Sequence, residues 1–161
     1  MNINNYCFSV IQTKDNEICY SEEKHTIFFY DLLHKQIISK LENMNLNYGT
    51  NKGFIMINKE LLVIPGINKI TIINLNKYNL IRIIDIPNSK GIAGVCMLNK
   101  NILFTGDKNG IIRKWKIEGN ILISISIKEN AHDDLIYFLL NIGYGYIASG
   151  SLDNSIKIMW K

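Results

Sequence analysis

Proline is scarce in this 161-residue chain, which has only Pro65 and Pro87. Alanine occurs only at positions 93, 131 and 148, and arginine only at positions 82 and 113. So little proline in a chain that is 47% apolar excludes a disordered or polyproline linker. Two arginines offer few bidentate grips on phosphate or guanine. The net charge of +4 is carried mainly by scattered lysines, so no nucleic-acid surface is expected. Cys7, Cys19 and Cys96 form no CxxC pair and have no histidine at zinc spacing. They read as buried free thiols of a reducing compartment, cytoplasmic or nuclear, and no metal or cofactor is expected. No apolar run approaches the ~20 residues of a membrane span. The opening "MNINNYCFSVIQTKDNE" lacks the basic-then-apolar layout of a signal peptide.

What fills the chain instead is isoleucine, asparagine and lysine, a bias typical of AT-rich coding that lowers the weight of any single Asn or Lys. Through this bias runs a repeat. Trp115 in "IIRKWKI" has counterparts in Tyr30 of "TIFFYDL", Ile73 of "KITIINL" and Met159 of "SIKIMWK". The spacings are 43, 42 and 44 residues. Alternation and turn residues divide each unit into short strands. The first unit reads "CFSVIQ", "EICYS", "TIFFYDL" and "KQIISKL"; the second reads "GFIMIN", "ELLVIPG", "KITIINL" and "LIRIIDI". The third reads "GIAGVCMLN", "NILFTG", "IIRKWKI" and "GNILISISI", and the fourth "LIYFLLN", "YIASGS" and "SIKIMW".

In the third unit, "DKNG" is expected to turn on an Asn-Gly pair at positive φ. "ILISISI" is expected to put its isoleucines on an apolar face and Ser124 and Ser126 on the wet one. "FFYDLLHKQIISKLENM" alone competes as a helix, and the regular spacing outweighs it. Four-stranded units repeating every 40 to 45 residues are blades of a β-propeller. The expected fold is therefore all-β, with about four antiparallel blades near 6–45, 48–88, 91–130 and 131–161. The last blade lacks its outer strand.

"AHDDLIYFLLNIGYGYIASGSLDNSIKIMW" and, less closely, "GVCMLNKNILFTGDKNGIIRKWKI" resemble the WD-repeat family, while the first two units match mainly by spacing. The resemblance implies a buried network in each blade, linking a loop His, a second-strand Ser or Thr, a turn Asp and a third-strand Trp. Carried over, these are His132, Ser149 and Asp153, with Met159 in the Trp place. The third unit supplies Thr105, Asn109 and Trp115 but no matching histidine. The family also implies a non-catalytic scaffold that docks protein or peptide partners on its loops. Glu22, Glu23, Lys24, Lys108, Lys128, Asp133 and Asp134 are the docking candidates. A substrate receptor of a ubiquitin ligase is an alternative, but such receptors often carry Trp-Asp-x-Arg, where "WKIE" and "YDLL" stand here. The other alternative is an enzyme with its site in a propeller pocket.

Three motifs offer chemistry and have simpler readings. His132, Ser149 and Asp153 have the composition of a hydrolase triad, but "YIASGS" is a strand and lacks the Gly-x-Ser-x-Gly elbow that presents a nucleophile. "GYGYIA" matches a dinucleotide fingerprint but leads into the turn "SLDN" rather than a helix. Gly143 and Gly145 are therefore expected to make a hairpin turn. Asp133 and Asp134 beside His132 lack a third metal ligand at useful spacing.

A four-blade arc is expected to expose apolar faces at both ends, on the order of 800 Å², more than monomers usually tolerate. Further blades, a second copy completing about eight blades, or closure into a tight four-bladed ring would each relieve this. Self-association through the edge strand "SIKIMW" is expected. Trp160 is expected to point opposite to Met159 by strand alternation.

Overall fold

The computed structural model describes residues 7–22, 26–44 and 53–160. Among them are fifteen strands and no helix, in four antiparallel sheets. Blade 1 holds β1 (Cys7–Lys14), β2 (Glu17–Glu22), β3 (Thr26–Asp31) and β4 (Gln36–Leu41). Blade 2 holds β5 (Ile55–Met56), β6 (Leu61–Pro65), β7 (Lys69–Asn74) and β8 (Asn79–Asp85). Blade 3 holds β9 (Ile92–Asn99), β10 (Ile102–Asp107), β11 (Ile112–Glu118) and β12 (Ile121–Lys128). Blade 4 holds β13 (Ile136–Gly143), β14 (Tyr146–Ser151) and β15 (Ile156–Met159), with no fourth strand among the described residues. Strands within each sheet pair in sequence order, as a meander of hairpins requires. The expected unit boundaries at 6, 45, 48 and 161 lie outside the described residues.

Blades 1, 2 and 3 each bury one face against the next. Cys19, Ile27 and Phe29 of blade 1 meet Leu62, Ile64 and Ile73 of blade 2. Val63, Ile70 and Ile72 of blade 2 meet Leu103, Trp115 and Leu122 of blade 3. Cys96, Phe104 and Ile112 of blade 3 meet Ile136, Leu139, Ile147 and Met159 of blade 4. Each of these three clusters joins successive blades, and none among the described residues joins blade 4 to blade 1.

Asparagine and aspartate side chains close the hairpins. Asn74 Oδ1 accepts from the N–H groups of Asn76 and Lys77, and Asp31 Oδ1 from those of Leu33 and His34. Asn58 does the same for Glu60 and Leu61. These are Asx turns, in which a short polar side chain imitates a backbone carbonyl. Positive φ recurs where the third strand turns into the fourth, at Lys35, Tyr78 and Gly119. Between β13 and β14 the turn uses Gly143, Tyr144 and Gly145, all at positive φ.

Several expectations are corrected. "GFIMIN" forms only the two-residue β5; one more ladder bond, Ile57 N–H to Leu61 C=O at 3.0 Å, follows before Asn58 caps the turn. "FFYDLLHKQIISKLENM" contributes β3 and β4 rather than a helix. In "DKNG" only Gly110 has positive φ, at 73°, because Asp107 Oδ1 holds the N–H groups of Asn109 and Ile111 in a longer turn. The β11–β12 ladder slips between Lys114 and Trp115, and this bulge breaks the alternation of "ILISISI". Ile121, Ile123, Ile125 and Ile127 are all exposed, and Ser126 is half-buried. Trp160 does not point away from the core. Its φ of 66° takes it out of the strand, and its ring packs on Phe104 with centroids 4.7 Å apart.

Candidate functional site

Blade 4 begins in a loop whose His132 lies between a strand and a turn. Its Nδ1–H donates to Asp153 Oδ2 at 2.8 Å, because a carboxylate can only accept. In the neutral ring, Nε2 then accepts from Ser149 Oγ at 2.7 Å. Ser149 sits on β14 and Asp153 in the β14–β15 turn, so the imidazole ties loop, strand and turn together. Ser155 adds to the carboxylate, donating through Oγ at 2.6 Å and through its backbone N–H at 2.9 Å. The Asp133 N–H donates as well, at 3.1 Å. The Ser155 hydroxyl foremost, with these other donors, holds the Asp153 carboxyl well below the usual carboxylate range.

The order Asp, His, Ser at these distances is that of a nucleophilic triad. Chemistry of that kind needs a serine oxygen open to a substrate and donors for the oxyanion. Ser149 and His132 are each 1% exposed, and Ser149 lies within a regular strand. The arrangement as it stands cross-links three segments. Because Asp153 binds protons more weakly folded than unfolded, its stabilisation is present above the ordinary carboxylate pKa of about 4 and is lost as pH falls below it. The stability gap between the protein and Asp153→Asn, read from urea midpoints, should therefore be constant above about pH 5 and narrow toward pH 3. Ser149→Ala, which strips Nε2 of its donor, should cost about 1–3 kcal/mol.

Blade 3 holds the same positions with different groups. Trp115 Nε1–H donates to Thr105 Oγ1 at 2.9 Å, both buried. Asn109 stands where Asp153 stands and donates through Nδ2 to the Asn88 carbonyl at 2.7 Å. The link to the preceding loop survives without a histidine. Gly110 follows in the turn, and the next blade closes over it: the His132 N–H donates to the Gly110 carbonyl at 3.0 Å. A Cβ at Gly110 would lie 1.9 Å from the His132 carbonyl oxygen, so glycine is required by both φ and space.

Two polar groupings escaped the sequence reading. Asp107 and Arg113 form a buried ion pair across the β10–β11 turn, Oδ2 to Nη1 at 2.5 Å. An Asp closing one strand and an Arg second in the next is the signal that would have found it. The other joins blades 1 and 2. Glu17 is buried and accepts from Thr13 Oγ1 at 2.6 Å, from Lys14 Nζ at 3.0 Å and from the Tyr78 hydroxyl. Lys14 also donates to Tyr78 Oη at 2.8 Å and to the Leu75 carbonyl at 3.1 Å. Burial opposes the Lys14 charge, but its hydrogen bonds to Tyr78 and Glu17 hold its pKa above the ordinary value.

The docking candidates are less uniform than expected. Asp133 and Asp134 are exposed in the loop before β13, and Lys108 is half-buried in the β10–β11 turn. Glu22 is the half-buried last residue of β2, and Lys128 ends β12 with Nζ 5.9 Å from the Trp160 ring centre. Glu23 and Lys24 lie outside the described residues. Burial pushes the Cys96 thiol up to about 12 and that of Cys19 higher, whereas Cys7, expected buried, is exposed at the start of β1. Among the described residues, no three His, Cys, Asp or Glu side chains converge on a metal position, and no helix is long and apolar enough to cross a membrane.

No family model matches the chain. A protein of Acanthamoeba polyphaga mimivirus, named as a BTB/POZ-domain and WD-repeat protein, is 27% identical over 146 residues. The match takes in 85% of this chain and spans 30% of that protein's length. Among solved structures, the computationally designed Ika4 protein matches with a TM-score of 0.72 at 14% identity, over 99% of this chain and 93% of that one. The designed Ika8 protein matches with a TM-score of 0.73 at 15% identity, over 96% of this chain and 46% of that one. U3-55K matches with a TM-score of 0.71 at 9% identity, over 99% and 53% respectively. The fold is thus a run of propeller-type blades, and the distant mimivirus similarity points toward WD repeats.

Proposed function

We propose that the chain is a non-catalytic WD-repeat-type scaffold that docks protein partners on the end of the blades formed by their second-to-third-strand turns. The observation that carries this reading is how those turns are fixed. The Ile92 N–H donates to the Gly66 carbonyl at 3.2 Å, the Lys108 N–H to the Gly91 carbonyl at 2.9 Å, and the Leu152 N–H to the Leu135 carbonyl at 2.9 Å. With the Gly110–His132 bond, these tie turns to inter-blade connections along one end of the arc. A surface ordered before binding loses little entropy on docking, and this one carries Lys108, Asp133 and Asp134 in mixed charge. The burial of Ser149 supports the non-catalytic half of the reading, and the unpaired buried thiols of Cys19 and Cys96 support a reducing compartment.

The test compares the protein with the triple variant Lys108→Glu, Asp133→Lys, Asp134→Lys in affinity capture followed by mass spectrometry. Partners held by the protein should be lost from the variant while its circular dichroism and melting stay unchanged. An identical captured set would move docking to another surface. Labelling of Ser149 by a serine-directed covalent probe would overturn the non-catalytic reading.

A further inference from the structure

Asn109–Gly110 is the one Asn-Gly pair in the sequence. Such a pair has a chemistry of its own, because glycine has no Cβ to shield its backbone nitrogen. That nitrogen can attack the asparagine side-chain carbon, Cγ; its proton passes to the departing amide, and ammonia leaves. Water then opens the resulting five-membered imide at either carbonyl. One opening gives aspartate. The other gives isoaspartate, with the main chain rerouted through the side chain and lengthened by a methylene. Water is the sole co-reactant.

In the folded chain the reacting groups are held from two sides. The Asn109 amide donates through Nδ2 to the Asn88 carbonyl at 2.7 Å, and the Asn109 backbone N–H to Asp107 Oδ1 at 2.9 Å. The Gly110 N–H, the nucleophile, donates to the Asp107 carbonyl at 3.3 Å. Blade 4 supplies the other side, since the His132 N–H donates to the Gly110 carbonyl at 3.0 Å and Gly110 is buried. The fit leaves no room for a Cβ at Gly110, which would lie 1.9 Å from the His132 carbonyl oxygen.

The following blade shows what a carboxylate at this position requires. Asp153 stands there in the place of Asn109, and the His132 ring answers it at 2.8 Å. At position 109 an aspartate would turn an acceptor toward the Asn88 carbonyl in place of a donor. Isoaspartate would lengthen a turn that blade 4 already covers without space to spare.

We infer that Asn109 is a site of self-catalysed deamidation gated by blade 4, silent while the His132 segment is seated on Gly110 and reactive once that segment lifts. Bringing Cγ onto the Gly110 nitrogen requires the turn to release Asn88 and blade 4. Either product then undoes one of the two fastenings, so an opening of this junction leaves a permanent chemical mark. The inference stands apart from the docking reading, since it uses only the turn and the blade packed on it.

The test follows Asn109 by peptide mass mapping, with isoaspartate methyltransferase labelling as a second readout, while the chain is kept in warm, mildly alkaline buffer. Deamidation should be at least about tenfold slower in the folded chain than in urea, because reaction in the native state waits on a local opening. Ser149→Ala, which frees the His132 segment, should raise the folded rate several-fold with circular dichroism unchanged. Ile64→Val, at the junction of blades 1 and 2, should leave that rate as it was. Asn109→Asp, one of the two products, should lower the urea midpoint. Equal rates in the folded chain and in urea would overturn the inference. So would an unaltered rate in Ser149→Ala, or equal acceleration by Ser149→Ala and Ile64→Val, which would make the opening global. An unshifted midpoint for Asn109→Asp would overturn the claim that modification unfastens the turn.

Discussion

Trp115→Ala is expected to lower stability by about 3–5 kcal/mol, measured from urea unfolding followed by far-ultraviolet circular dichroism. The indole is 4% exposed and packs among Val63, Ile70, Ile72 and Leu103 at the junction of blades 2 and 3. Neighbours drawn from two sheets collapse poorly into the space left, and incomplete collapse puts a substitution at the costly end of its range. The alanine also strips Thr105 Oγ1 of its donor. Trp115→Phe separates the two effects: it keeps most of the apolar volume and loses the N–H, so its cost should fall to about 1–3 kcal/mol. A cost below about 1 kcal/mol for the alanine would mean that the junction is not packed as described.

Arg113→Leu should be as damaging, by about 3–5 kcal/mol, through a different route. Asp107 is 1% exposed, and its Oδ1 is already committed to the backbone of the turn. Without the guanidinium, Oδ2 carries a charge that neither water nor protein answers. Replacing both members, as Asp107→Leu with Arg113→Leu, should cost less than the sum of the two single changes, because no orphan charge remains. Raising salt should leave the pair's worth nearly unchanged, since a buried pair is poorly screened. A single-variant cost within about 1 kcal/mol of zero would contradict the pairing.

The blades were legible in the sequence because their signals are local. Alternation broken by turn residues and an anchor near every 43 residues located the fifteen strands of the described residues. The His132–Ser149–Asp153 grouping was legible through family resemblance, and its distances came only from the structure. Contacts across blades were not legible. Glu17 and Tyr78 are 61 positions apart, and nothing in either segment states the angle between two sheets. The bulge opposite Trp115 was hidden for a related reason: "ILISISI" alternates perfectly in sequence, and the slip lies in its pairing. The turn asparagines were undervalued because a biased composition made them look incidental. Asn58 and Asn74 nevertheless each gather two backbone N–H groups.

The bonds that fasten a turn to the blade after it have a direction. Gly66 and Gly110 each offer a carbonyl, and in each case the next blade supplies the N–H. Each fastening belongs to a pair of neighbours and to no blade alone, which makes the chain a one-dimensional array of coupled units. Fluctuations in such an array start at units with one neighbour and travel inward, so amide exchange in an isolated arc would be fastest in blades 1 and 4 and slowest in blades 2 and 3. Closing the array removes that gradient, because every blade then has a neighbour on both sides. The evenness of exchange along the polypeptide thus becomes a measure of whether the circle is complete.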